Sequence, residues 1–153
     1  MQNIVRASGV ILFDDRHQLL VVTPTYRAGW LLPGGIVEDA ETPLDAAQRE
    51  VAEELGVVVP TMRLLCIDWQ RESMSGRDNV QLLFYGGVLS SEQRSVIRLP
   101  PSELLAHRLV SVDDALALLT PHSARRLPHA MHALNSHAVL VLEDGVPTSR
   151  GDR

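Results

Sequence analysis

The chain has 153 residues, 45% hydrophobic and 22% charged, which is the balance of one soluble globular domain spanning 1–153. Its net charge of −5 argues against a nucleic-acid-binding module, which needs clustered positive charge against phosphates. Cys66 is the single cysteine, which excludes an intrachain disulfide and speaks against a cysteine-based zinc site.

Ile4 to Phe13 is rich in branched apolar residues and stops at the polar turn Asp14-Asp15-Arg16. Gln18 to Thr23 is a second apolar run, so the two read as a hairpin. Trp30 to Leu32 reads as a short strand stopped by Pro33-Gly34-Gly35, a turn whose glycines let the backbone approach a ligand. The clearest helix follows. Thr42 is a good N-cap, Pro43 suits the first helical position, and Asp45 lies where the helix dipole favours an anion. Leu44, Ala47, Val51 and Leu55 mark its buried stripe, and Gly56 ends it as a left-handed cap.

Met62 to Trp69 and Asn79 to Leu89 read as longer strands joined by the polar loop Arg71 to Asp78. Ser90 to Leu105, broken at Pro100-Pro101, has no assignable pattern. Arg108 to Val112 reads as a short strand, Asp113 to about Thr120 as a helix, Pro121 to about Leu134 as another, and Ala138 to Leu142 as a closing strand. The alternation predicts an α/β domain with helices packed on a sheet. The first six residues lack the layout of a signal peptide, and no apolar run reaches membrane-span length. A cytoplasmic protein with no membrane partner is the expectation.

Glu50, Glu53 and Glu54 fall at i, i+3 and i+4, so their carboxylates are neighbours on one helical face and repel one another. Arg49 is a single cation beside them. A hard divalent ion would compensate such a cluster: Mg²⁺ prefers carboxylate oxygens and keeps waters and substrate phosphates as its other ligands. The Pro33-Gly34-Gly35 turn could add a backbone carbonyl. A bare acidic helix of this kind is more often a solvated, salt-bridged surface, so the wider pattern has to decide.

That pattern is the segment Gly35 to Val57, GIVEDAETPLDAAQREVAEELGV. It resembles the Nudix box, G-x5-E-x7-R-E-U-x-E-E-x-G-U with U a bulky aliphatic residue. Gly35, Glu41, Arg49, Glu50, Val51, Glu53, Glu54, Gly56 and Val57 fill every defined position. The lead-in Trp30 to Gly35 and Glu38 are also common in that family; Ala40 stands where many members carry glycine. The resemblance implies a Nudix-like α/β/α sandwich with a mixed sheet. It further implies a Mg²⁺-dependent hydrolase of phosphate anhydrides in nucleoside diphosphates linked to another moiety, with Mn²⁺ as a substitute ion. Arg49, Glu50, Glu53 and Glu54 would be catalytic, with Gly35, Glu50, Glu53 and Glu54 around the metal, Arg49 orienting the glutamates and Glu41 bracing the loop. The general base varies among members, leaving Glu50, Glu53, Glu92 and Glu103 as candidates.

Substrate choice lies outside the box. The stretch Asp68 to Ser73 has neither the proline typical of ADP-ribose-directed members nor the tyrosine of dinucleoside-polyphosphate members. This leans toward nucleoside triphosphates, cut to a monophosphate and pyrophosphate. ADP-ribose or another nucleotide sugar, and a non-catalytic nucleotide-sensing role, stay as alternatives. A prenyl-diphosphate isomerase would need cysteine chemistry that Cys66, in a strand, does not offer. A small nucleotide is thus the expected partner, and a homodimer is left open. Arg27 is the candidate substrate-binding residue, with Arg6, Tyr26, Trp69 and Arg77 as further options. His122, His129, His132 and the pair Arg125-Arg126 read as solvated surface.

Overall fold

The computed structural model of the chain describes residues 4–71 and 76–148; positions 72–75 of the loop expected over Arg71–Asp78 lie outside the described residues. The elements, in chain order, are β1 (Val5–Phe13), β2 (Leu19–Pro24), β3 (Gly34–Ile36), α1 (Pro43–Leu55), β4 (Arg63–Gln70), β5 (Asn79–Val88), α2 (Ser91–Ser95), β6 (Leu104–Val110), α3 (Val112–Leu118), α4 (Pro121–Ser136), β7 (Leu140–Glu143) and β8 (Val146–Pro147). One eight-stranded sheet runs β6-β2-β1-β5-β4-β7-β8, with β3 attached to β1 alone. It is mixed: β1 pairs β5 and β4 pairs β7 in parallel, while the other pairs are antiparallel.

Because strand side chains alternate between faces, each central strand feeds two cores. Val10, Leu12, Leu20 and Phe84 pack under α1 through Ala47, Val51 and Leu55. Ile11, Phe13, Val21 and Leu83 pack on the opposite face against Ala115 of α3 and Leu127, Ala130 and Ala133 of α4. The result is the expected α/β/α layering.

Several expectations change in detail. The hairpin of the first two strands is reduced to one registered pair, Phe13↔Leu19. Their long partners are elsewhere: β5 for β1 and β6 for β2. The two strands part because the segment 31–36 lies along them, Val10 N–H donating to the Pro33 carbonyl and Leu31 bridging Val22. Within that segment the regular strand is Gly34–Ile36 rather than Trp30–Leu32, of which Trp30 and Leu31 make one isolated bridge each. The glycine is what allows this, since a Cβ at Gly34 would lie 2.1 Å from the Ser8 carbonyl oxygen. The unassigned stretch holds α2, capped by Ser90, and the start of β6, which begins at Leu104 rather than Arg108. Ser111, not Asp113, caps α3, which ends at Leu118. Strand β8 has no counterpart in the sequence reading.

Among the described residues no three or more His, Cys, Asp or Glu side chains converge as a metal-holding group, neither around His129 and His132 nor as the full set Glu50, Glu53 and Glu54. Arg126 departs from the solvated surface expected of it. It is 7% exposed and bonds Asp68 and Gln70 of β4. No helix is long and apolar enough to cross a membrane among the described residues.

Candidate active site

The site is built on α1 and the two-glycine strand facing it. Thr42 and Asp45 close a reciprocal capping box, each side chain accepting from the other's backbone N–H, and Gly56 ends the helix in the left-handed conformation. Ser8 of β1 donates its hydroxyl to the Pro43 carbonyl, fixing the helix start on the sheet. Nothing local in the sequence marks Ser8 for this, because its partner lies 35 residues away.

The helix is rotated slightly from the expected stripe. Leu44 is 37% exposed, whereas Glu54 is 8% exposed and turned inward. One Glu54 carboxylate oxygen accepts the Gly34 N–H at 3.3 Å. Glu50 lies against the next residue: a Cβ at Gly35 would sit 2.2 Å from Glu50 Oε1, so glycine is required for this approach. Burial pushes the Glu54 carboxyl up to about 8, reinforced by the Glu50 charge beside it and, further off, by Glu103. Burial likewise raises Glu50, although Arg49 opposes the rise. The two carboxyls are close enough to share a proton, which Glu54 keeps.

Arg49 clasps the assembly. Its Nε and Nη2 bond both oxygens of Glu41 at 3.0 and 2.7 Å, and Nη2 also donates to the Ile36 carbonyl at 3.1 Å. Its Nη1 reaches Glu50 at 3.0 Å and Glu53 at 3.2 Å. The fork holds the Glu41 carboxyl down to about 2, and Glu41 in turn accepts the Glu38 N–H at 2.8 Å, bracing the loop before the helix.

The structure therefore brings Gly35, Arg49, Glu50 and Glu54 together, with Glu53 at the rim, half-exposed and facing Arg49. The donor set fits a hard divalent ion. Two crowded carboxyls, both raised by burial, beside the glycine pair Gly34-Gly35, offer oxygen ligands and leave room for water; Mg²⁺ needs only one or two protein carboxylates. Glu103 precedes β6, beside Thr25, whose N–H and hydroxyl both reach its carbonyl, and its charge is felt at Glu54. Glu92 is in α2, whose Arg94 pairs with Asp14 and Asp15 at the far end of β1. Arg27 and Tyr26 are exposed on the loop after β2. Arg6 pairs loosely with Asp39 at 3.9 Å, and the Trp69 indole N–H donates to Asp78 at 3.1 Å.

Comparison with known proteins agrees with this architecture. The family model described as the NUDIX domain matches residues 3–130. A diphosphoinositol polyphosphate phosphohydrolase 3-beta from Homo sapiens is 35% identical over 119 residues, covering 76% of this chain and 70% of that protein. An 8-oxo-dGDP phosphatase, NUDT18, from Danio rerio is 33% identical over 130 residues, but the chain spans only 38% of its length. Among solved structures, a MutT NUDIX hydrolase from Burkholderia pseudomallei superposes with a TM-score of 0.71 at 23% identity, over 84% of this chain and 98% of that one. The NUDIX domain of Shewanella oneidensis NrtR, in complex with ADP ribose, gives 0.72 at 18% identity, over 88% and 90%. With a complete Nudix box, the clasped carboxylates and this match over most of its length, the chain belongs to the Nudix hydrolase family.

Proposed function

We propose that this protein hydrolyses a phosphate anhydride in a nucleoside di- or triphosphate derivative, with Mg²⁺ bound by Glu50 and Glu54. The observation that carries the reading is the pairing of those two carboxyls against Gly34 and Gly35. Glu54 is buried and Glu50 partly so, and the two are crowded enough to raise both carboxyls, a costly arrangement for a purely structural surface helix and a suitable one for a divalent ion. Held by Glu50 and Glu54, such an ion would supply charge neutralisation on the phosphate and a more acidic water.

The chain's own groups then have separable duties. Arg49 holds the glutamates in register and keeps Glu53 close at hand. The Gly35 carbonyl is available as a further ligand. Arg27, exposed on the loop after β2, is a candidate for contacting substrate phosphate. Glu103, whose charge is felt at Glu54, is the general-base candidate preferred over Glu92; Glu50 and Glu53 are already engaged by Arg49.

Nucleoside triphosphates, giving a monophosphate and pyrophosphate, are the first substrates to test. ADP-ribose and other nucleotide sugars form the second group, since the similar NrtR domain was crystallised with ADP ribose. Turnover across such a panel with Mg²⁺, followed by product chromatography after reaction in ¹⁸O-labelled water, identifies both the products and the phosphorus attacked. Release of phosphate from simple monoesters, with no action on any anhydride, would overturn the reading.

A further inference from the structure

Strand β2 and the edge strand β6 pair in regular register from Leu19↔Val110 to Thr23↔Ala106, then shift at Pro24, which meets Leu104. Proline is the local reason: Pro24 has no N–H to give to the ladder, so regular donation from β2 ends there. Thr25 takes over. Its backbone N–H donates to the Glu103 carbonyl at 2.9 Å. Its hydroxyl donates to the Ser102 carbonyl at 2.9 Å and lies 3.3 Å from the Glu103 carbonyl.

What Thr25 holds is a short strap, residues 98–104. At one end the Arg98 N–H donates to the Leu55 carbonyl at 3.0 Å, so the strap hangs from α1, the helix that carries Glu50 and Glu54. Pro100 and Pro101 stiffen its middle by fixing φ. At the other end the Pro100 carbonyl accepts the N–H groups of Glu103 and Leu104, each at 3.0 Å, which closes a tight turn. Leu104 is buried in the same core as Val51 and Leu55 of α1. Its neighbour Glu103 is exposed, yet its charge is felt at Glu54. The carboxylate thus stands on a turn whose inner side is packed under α1.

The Ser102 and Glu103 carbonyls belong to the two peptide planes that flank the Glu103 Cα. Holding both planes fixes φ and ψ at that residue, and with them the direction in which its side chain leaves the backbone. We infer that Thr25 is the positioning residue for Glu103, its hydroxyl and N–H together aiming that carboxylate toward the glutamates of α1. The inference rests on the anhydride-hydrolase reading with Glu103 as base, and adds to it the residue that sets the base's direction. As the water oxygen bonds phosphorus, its proton passes to Glu103 and the bridging oxygen leaves with the departing phosphate. The loop that carries Arg27 is closed separately, by the Thr23 hydroxyl donating to the Gly29 carbonyl at 2.9 Å. Loosening the Thr25 hydroxyl should therefore disturb the base and spare the phosphate contact.

The test compares Thr25→Val, which keeps the shape and the N–H bond but deletes the hydroxyl, with Thr25→Ser, which restores it, and with Glu103→Gln. Rates are taken with Mg²⁺ on the nucleoside triphosphate that wild type cuts best, well below the melting temperature of the least stable variant. Glu103→Gln should lower kcat about a hundredfold. Thr25→Val should lower kcat about tenfold with KM little changed, and Thr25→Ser should recover most of the loss. In the Glu103→Gln background, Thr25→Val should cost nothing further, because no base is left to aim. A hydroxyl needed for folding alone would slow both backgrounds alike. Equal slowing in the two backgrounds, an effect confined to KM, failure of serine to restore the rate, or wild-type turnover by Glu103→Gln would each overturn the inference while the hydrolase reading stands. A wild type that cuts no anhydride of any kind sinks that broader reading, and this inference with it.

Discussion

Replacing Glu54 by glutamine should make the metal-free protein more stable while removing its activity. The side chain is nearly buried, and its carboxyl titrates at about 8 in the fold against 4.5 for an ordinary glutamate. A raised folded-state value means that stability is fullest below pH 4.5. It is lost as pH rises toward 8, because the unfolded chain releases this proton long before the folded one does. A rise of that size corresponds to about 5 kcal/mol at 1.36 kcal/mol per tenfold change in the proton equilibrium. Because Glu50 shares the proton and would relax when its neighbour becomes neutral, about 2–3 kcal/mol is the expected gain for Glu54→Gln at pH 8 in chelator. For a domain of this length that is a rise in melting temperature of about 5–10 °C. At pH 4 the two proteins should melt together. Mg²⁺ should raise the wild type at pH 8 and do little for the variant, since binding favours the ionised pair. Turnover should fall about a hundredfold or more. Thermal scans at pH 4 and 8, each with chelator and with Mg²⁺, supply the comparison. A variant no more stable than wild type at pH 8 without metal would refute the argument that these carboxylates are held under strain.

Arg49→Lys keeps the charge but cannot grip both oxygens of Glu41 while reaching Glu50. A loss of roughly tenfold or more in kcat is expected from steady-state rates. Gly35→Ala would drive a methyl group into Glu50, and calorimetric titration should show Mg²⁺ affinity falling about tenfold. Arg126→Met leaves the buried Asp68 without its counter-charge, and urea unfolding should record a loss of about 3–5 kcal/mol. Adding Asp68→Asn should recover part of it.

The helix of the Nudix box was legible because its signals are local. Thr42, Pro43, Asp45 and Gly56 each act within one turn of the helix they delimit, and the Nudix spacing fixes which side chains cluster. What the sequence could not supply was partnership at a distance. Nothing near Val5–Phe13 says that its long neighbour is a parallel strand beginning at Asn79, or that the glycine pair would itself be the strand wedged beside it. Leu44 satisfied the helical period yet stayed exposed, because Glu54 is drawn inward by the Gly34 N–H, a bond spanning 20 residues. Arg126 looked like half of a solvated basic pair; its burial depends on Asp68, 58 positions away. The stretch 90–105 resisted assignment because α2 is a single short turn held by Ser90, too brief to leave a periodic pattern.

Cys66 lies fully buried between β5 and β7, and burial pushes its thiol up to about 12. A solvent-borne alkylating reagent therefore meets almost no thiolate in the intact molecule. Since the chain has no second cysteine, every labelled molecule is one whose sheet has opened. Modification then becomes a clock for opening, read by mass alone. Any compound that binds the closed form slows that clock in proportion to its occupancy. A library of nucleotides, sugars and metal ions can thus be ranked by how long each one shields a single sulfur atom, with no bond in the candidate needing to break.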